Sequence, residues 1–219
     1  MKSRGETKLS SNTTGGGLNP EDHDFPAQTP RSRIADVISE VGGPAPVLFV
    51  GLLEIGFRFD ALAPASIAAI TMAVIPYAAL LMLERSRKVS DRFVRDRKER
   101  MPILLGTLVV FAIGAIVVVL MGSPPELIWV IAAAITGLVV VTLITLTWKI
   151  SIHATITAFF VGLQMFLFGP WGLVALIFLA LVLWSRWALR AHTVGQLAAG
   201  TALGGGLAVV YVTAVRWFG

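Results

Sequence analysis

The sequence predicts an all-α protein, a polytopic transmembrane helical bundle of about six to seven spans behind a polar N-terminal tail. Three observations predict it. Hydrophobic residues make up 56% of the chain and charged residues only 14%, whereas soluble domains carry nearer a quarter. The apolar residues fall into runs close to the ~20 that a helix needs to cross hydrocarbon. Turn residues separate several of those runs, and in lipid only a helix satisfies every backbone amide within its own segment.

Residues 1–43 read as a disordered tail. The stretch SSNTTGGGLNPEDHDFPAQTPRSR is polar and rich in Gly and Pro, too poor in apolar surface to form a core. It is not read as a signal peptide, because no apolar stretch follows Lys2 and Arg4. Ile34 to Glu40 reads as a short amphipathic stretch at the membrane surface. The transmembrane domain is expected over 44–219. Its candidate spans are 44–63, 65–83, 103–121, 127–147, 152–168, 171–189 and 193–215. Gly122-Ser123-Pro124-Pro125 divides the third from the fourth, and Gly169-Pro170 the fifth from the sixth. Both joints predict tight antiparallel hairpins. Glu54 and Arg58 interrupt the first span four residues apart, in the order that favours a helical ion pair. Gly200 and Gly204 form a small-xxx-small pattern suited to close helix packing.

Three polar islands break the apolar pattern: residues 84–102, residues 148–153 (WKISIH), and residues 184–196 (WSRWALRAHTVGQ). Two spans separate each island from the next, so all three return to one face and can converge. Of the eighteen Lys and Arg residues, all but Arg58 and Arg216 lie on that face. The positive-inside rule then places the islands and the N-terminus in the cytoplasm and predicts a multi-pass protein of the cell (inner) membrane. It also accounts for the net charge of +5 without a nucleic-acid partner. Cysteine is absent, which excludes disulfides and thiolate metal sites. Arg186, Arg190 and His192 stand at a seam between two apolar runs, and ionisable groups there mark a site by default.

The islands carry motifs that resemble those of the type 2 phosphatidic acid phosphatase (PAP2) superfamily. Ser185-Arg186, five residues, then His192 is similar to the third signature, SRx5Hx3D. Ile150-Ser151-Ile152-His153 is similar to the second, PSGH, with its serine and histidine kept. For the first, Kx6RP, Lys88 and Arg95 have the spacing, with Asp96 where proline is expected, while Arg100-Met101-Pro102 places arginine and proline before a span. Lys88, Arg95, Arg97 and Arg100 therefore all stand as candidates. The resemblance covers about residues 84–200 and implies a PAP2-like helical core.

It further implies an integral-membrane phosphatase that hydrolyses a phosphomonoester or diphosphate of an isoprenoid or glycerolipid, with no metal or other cofactor. His192 would be the nucleophile, forming a phosphohistidine, and His153 the general acid. Arg186, Ser151 and a base from the first island would hold the phosphate. The residue types suit this chemistry: planar guanidinium grips phosphate oxygens in pairs, and imidazole exchanges protons near neutral pH. Lys149 lies beside the expected helix start, where free amides bind phosphate oxygens. Gln196 stands where the family has the aspartate that orients the nucleophile. Either an acid of the first island (Asp91, Asp96 or Glu99) supplies the charge, or the chain is a catalytically weak or inactive relative that binds or transports a lipid phosphate.

Overall fold

The computed structural model describes residues 30–86 and 97–218, with the side chains of 30–32 and 97–100 outside the description. Every element within it is helical: α1 Pro30–Val41, α2 Pro44–Arg58, α3 Leu62–Ala69, α4 Ile75–Arg85, α5 Arg97–Leu120, α6 Pro125–Thr145, α7 Ile152–Phe168, α8 Ala175–Ala188 and α9 Val194–Phe218. Among the described residues, six helical runs are long and apolar enough to cross a membrane: 33–58, 62–85, 101–120, 125–145, 152–188 and 194–218. This is a multi-pass membrane protein.

The run 152–188 holds two of the expected spans. As one straight helix it would be about 55 Å long, nearly twice the hydrocarbon thickness. It folds on itself instead. Gly169 adopts φ +59°, and a 3-10 turn over Gly169–Val174 brings the chain back. Gly172 lies against the backbone of Gln164 and Met165, leaving no room for a Cβ. The rings of Phe160 and Phe178 meet edge to face at 6.3 Å, and Leu179 packs with Ala158 and Val161. The hairpin therefore forms where Gly169-Pro170 predicts it, although α8 starts at Ala175 because the turn consumes residues 169–174.

The helix α9 runs parallel to α7 at very close range. A Cβ on Gly200 would lie 2.6 Å from the Ser151 carbonyl oxygen, and one on Gly204 only 2.0 Å from that of Thr155. The small-xxx-small pattern is thus used inside the bundle. Farther along, Tyr211 sits between Phe159 and Phe166, at centroid distances of 6.0 and 5.4 Å.

Two arrangements differ from expectation. Residues 30–41, assigned by composition to the tail, form α1 and pack against α8, with Ala35 and Ser39 fully buried. The amphipathic stretch is real but lies on protein along one face, leaving Ile34, Val37 and Val41 exposed. A boundary at 43/44 therefore does not separate α1 from the bundle. Nor do Glu54 and Arg58 pair. Glu54 accepts a hydrogen bond from Gln164 of α7, and the Arg58 guanidinium lies 5.9 Å from the centre of the Phe59 ring. The local spacing allows the ion pair, but a partner 110 residues away takes the carboxylate.

The second run bends through a π-helical turn, Ile70–Val74, between α3 and α4. Its cause is Pro76, which lacks an N–H and would clash with the carbonyl four residues earlier in a regular helix. Thr71 adds a hydroxyl bonded back to the carbonyls of Ile67 and Ala68, and Gly114 of α5 approaches it closely.

The contact between α7 and α9 yields a stability test. Gly204→Ala is expected to cost about 1–3 kcal/mol, because overpacking forces the backbones apart. Gly205→Ala, whose Cβ meets nothing within 4 Å, should leave the unfolding midpoint unchanged or raise it. Thermal unfolding of both variants in detergent checks this.

Candidate functional site

A cavity of about 220 Å³ opens within the bundle. His153, Arg186 and His192 line it together, which brings the second and third islands to one place. His153 is the second residue of α7, Arg186 lies in the last turn of α8, and His192 precedes α9. These three helix ends meet at one end of the bundle. The remaining wall is almost wholly apolar, with Leu48 of α2, Met72 of the π turn, Phe111 of α5, Ala133 of α6, Phe159 of α7 and Leu207 of α9 among its side chains. On α5 the lining runs from Ile103 to Phe111, about 12 Å along the axis at 1.5 Å per residue. A basic end thus caps an otherwise largely apolar slot.

Arg186 is 2% exposed. Its Nη1 donates to Ser39 Oγ of α1 at 2.5 Å, and Ser39 itself is fully buried. A guanidinium in such surroundings is costly unless its donors are matched. Its place in the last turn of α8 helps, since the carbonyl end of a helix favours a cation.

The five residues between Arg186 and His192 form one defined turn. The Ala191 amide donates to the Arg186 carbonyl at 3.0 Å, and the Arg190 amide to the Trp187 carbonyl at 2.9 Å. This is a Schellman motif, with Arg190 in the left-handed position at φ +52° where glycine is usual. It ends α8 and returns the chain so that His192, 8% exposed, reaches the cavity.

Gln196 has two tasks. Its Oε1 lies 3.1 Å from His192 Nδ1 and accepts from the Thr193 amide at 3.2 Å. In return the Gln196 backbone N–H donates to Thr193 Oγ1 at 3.3 Å. Thr193 and Gln196 therefore form a capping box that starts α9. The backbone N–H of Thr193 can only donate, so the Gln196 atom facing it must be oxygen. That oxygen also faces Nδ1, which therefore donates to it, so in the neutral ring the lone pair falls on Nε2.

Ser151 is the N-cap of α7: its Oγ accepts from the Ala154 amide at 3.3 Å, and it is fully buried. Lys149 is half-buried in the loop before it, and neither residue is among those lining the cavity. Arg97 and Arg100 fall in the first turn of α5, with their side chains outside the description; Lys88 and Arg95, like Asp91 and Asp96, lie outside the described residues. Sequence reasoning missed Ser39, Glu40 and Tyr77. The Tyr77 hydroxyl on the cavity wall donates to the Glu40 carboxylate of α1. The small-residue spacing Ala35, Ser39, Gly42 could have signalled a packed helix face there, but not which residues it meets.

Gln196→Ala removes the reciprocal half of the capping box and is expected to destabilise α9 by about 1 kcal/mol. Gln196→Glu, which keeps an acceptor of the same reach, should retain most of that stability. Unfolding midpoints in detergent at pH 7 compare them. Set against known protein families, curated proteins and solved structures, the chain gives no match.

Proposed function

We propose that this chain is an integral-membrane lipid phosphatase with a PAP2-like core, acting on a phosphomonoester or diphosphate of an isoprenoid or glycerolipid. The observation that carries the reading is that a nearly sealed Arg186 and two imidazoles line one end of a largely apolar cavity. A phosphate headgroup would suit the positive charge of Arg186, and its hydrocarbon chain suits the apolar slot.

In the proposed reaction, His192 Nε2 attacks phosphorus and the bond from phosphorus to the lipid oxygen breaks. His153 gives its proton to the departing alkoxide or lipid phosphate, so one product is the lipid alcohol or monophosphate. Water then attacks the phosphohistidine, His153 takes the water's proton, and inorganic phosphate leaves. Arg186 stabilises the charge on the transferring group. In this reading the bases Lys88, Arg95, Arg97 and Arg100 complete the phosphate clamp, and no metal or cofactor takes part. Ser151 acts by capping the helix that carries His153, and Lys149, off the cavity wall, adds only its positive charge nearby.

Gln196 favours a second reading. An amide orients His192 but adds no negative charge to stabilise the imidazolium that forms on transfer. At the corresponding orienting position of a serine protease, Asp→Asn costs about ten-thousandfold in rate. A lipid-phosphate binding or transport protein on the same scaffold needs no such charge.

One assay separates the two. Purified protein in detergent with excess EDTA is expected to release phosphate from phosphatidate or a polyprenyl diphosphate. His192→Ala should abolish release and the acid-labile phosphoprotein, while His153→Ala should slow turnover about 10²–10⁴-fold, the usual contribution of a general acid. Binding of either lipid without release by the unaltered protein establishes the second reading.

The site is proposed to face the cytoplasm. The chain's lack of cysteine makes Thr147→Cys, in the exposed loop before α7, a clean probe. It should react with an impermeant maleimide only after the membrane is opened; labelling of intact cells places the site outside.

A further inference from the structure

We infer that α1 is an integral part of the phosphate site, with Ser39 as the positioning residue for Arg186. The inference rests on the reading of Arg186 as a phosphate-holding group.

An arginine side chain has several rotatable bonds, and a free one samples many directions. Arg186 lies at the end of α8 beside a cavity that it must reach from one side. Ser39 Oγ, fully buried on α1, accepts from Nη1 at 2.5 Å. That bond fixes one tip of the guanidinium fork and so the plane in which its other N–H groups lie. A neutral hydroxyl does this without itself neutralising the guanidinium's charge.

The docking of α1 is built to hold that hydroxyl in place. Ala35, one turn before Ser39, is fully buried. Gly42, near the end of the helix, leaves room for α8: a Cβ there would lie 2.2 Å from Val182 Cγ2. The next residue after Ser39 also reaches the cavity wall, since Glu40 accepts from the hydroxyl of Tyr77 on α4. Tyr77 and Arg186 both line the cavity. The helix therefore ties together two walls of the cavity, one through each of two consecutive residues.

Tungstate, a tetrahedral dianion of phosphate shape, tests this in the full chain in detergent. Its affinity is read from the rise of the unfolding midpoint with tungstate concentration. Arg186→Ala is expected to weaken binding by more than about tenfold, and Ser39→Ala by about three- to tenfold, the worth of a single hydrogen bond. In the Arg186→Ala background, Ser39→Ala should cause no further loss. Gly42→Ala reaches the same bond without touching the hydroxyl, by pushing α1 from α8, and should show the same dependence on Arg186. Equal losses in both backgrounds, or none in either, overturn the inference while leaving Arg186 as the anion's holder. If the unaltered protein does not bind tungstate, or Arg186→Ala binds it equally well, the inference and the site reading fall together.

Discussion

The arrangement depends on keeping a positive charge inside an apolar bundle. Moving a guanidinium-sized ion into low dielectric costs several kcal/mol even after the protein relaxes around it. Three parts of the chain meet this demand at Arg186. The carbonyl end of α8 supplies a favourable dipole. The helix α1 brings Ser39 to the guanidinium. The cavity beside it leaves space for an anion. The amino ends of α7 and α9 converge on the same place, with His153 and His192 at their starts. Helix amino ends attract negative charge, so they add to the arginine's attraction for an anion.

Backbone geometry sets the spacing of these groups along the chain. The Schellman turn after Ala188 fixes how soon the chain reverses, and the capping box at Thr193 fixes where α9 begins. His192 sits between the two, with little freedom left on either side. Holding Arg190 at φ +52° costs roughly 1–2 kcal/mol against a right-handed conformation. Close packing then fixes the register of the two histidine-bearing helices. Because Gly200 and Gly204 let α9 lie directly on α7, a shift of one helix would carry its imidazole with it.

The apolar runs made the spans legible, and Gly169-Pro170 marked the hairpin that returns Arg186 to the face of His153. Both are local signals, read from composition and turn chemistry. What escaped the sequence is tertiary. Nothing near Ser39 announces Arg186, 147 residues away, and its surroundings are polar enough to read as tail. Glu54 shows the converse error, since a favourable local spacing toward Arg58 lost to Gln164 on another helix. The π turn before Pro76 was hidden for a third reason. Proline predicts an interruption, but whether the helix breaks, kinks or widens depends on what packs against it, here Gly114 beside Thr71.

Gln196 can be weighed by the same electrostatics that govern Arg186. A carboxylate at this position would stabilise the imidazolium during phosphoryl transfer. It would also add a negative charge to the end of the cavity proposed to hold a phosphate dianion. The amide avoids that repulsion while still fixing the Nδ1 proton and capping α9. Its effect is therefore uneven along the proposed reaction. Ground-state binding of the phosphate keeps its full positive surroundings, while the charged intermediate loses a partner. Since only interactions stronger in the transition state accelerate chemistry, the expected result is tight binding with slow transfer.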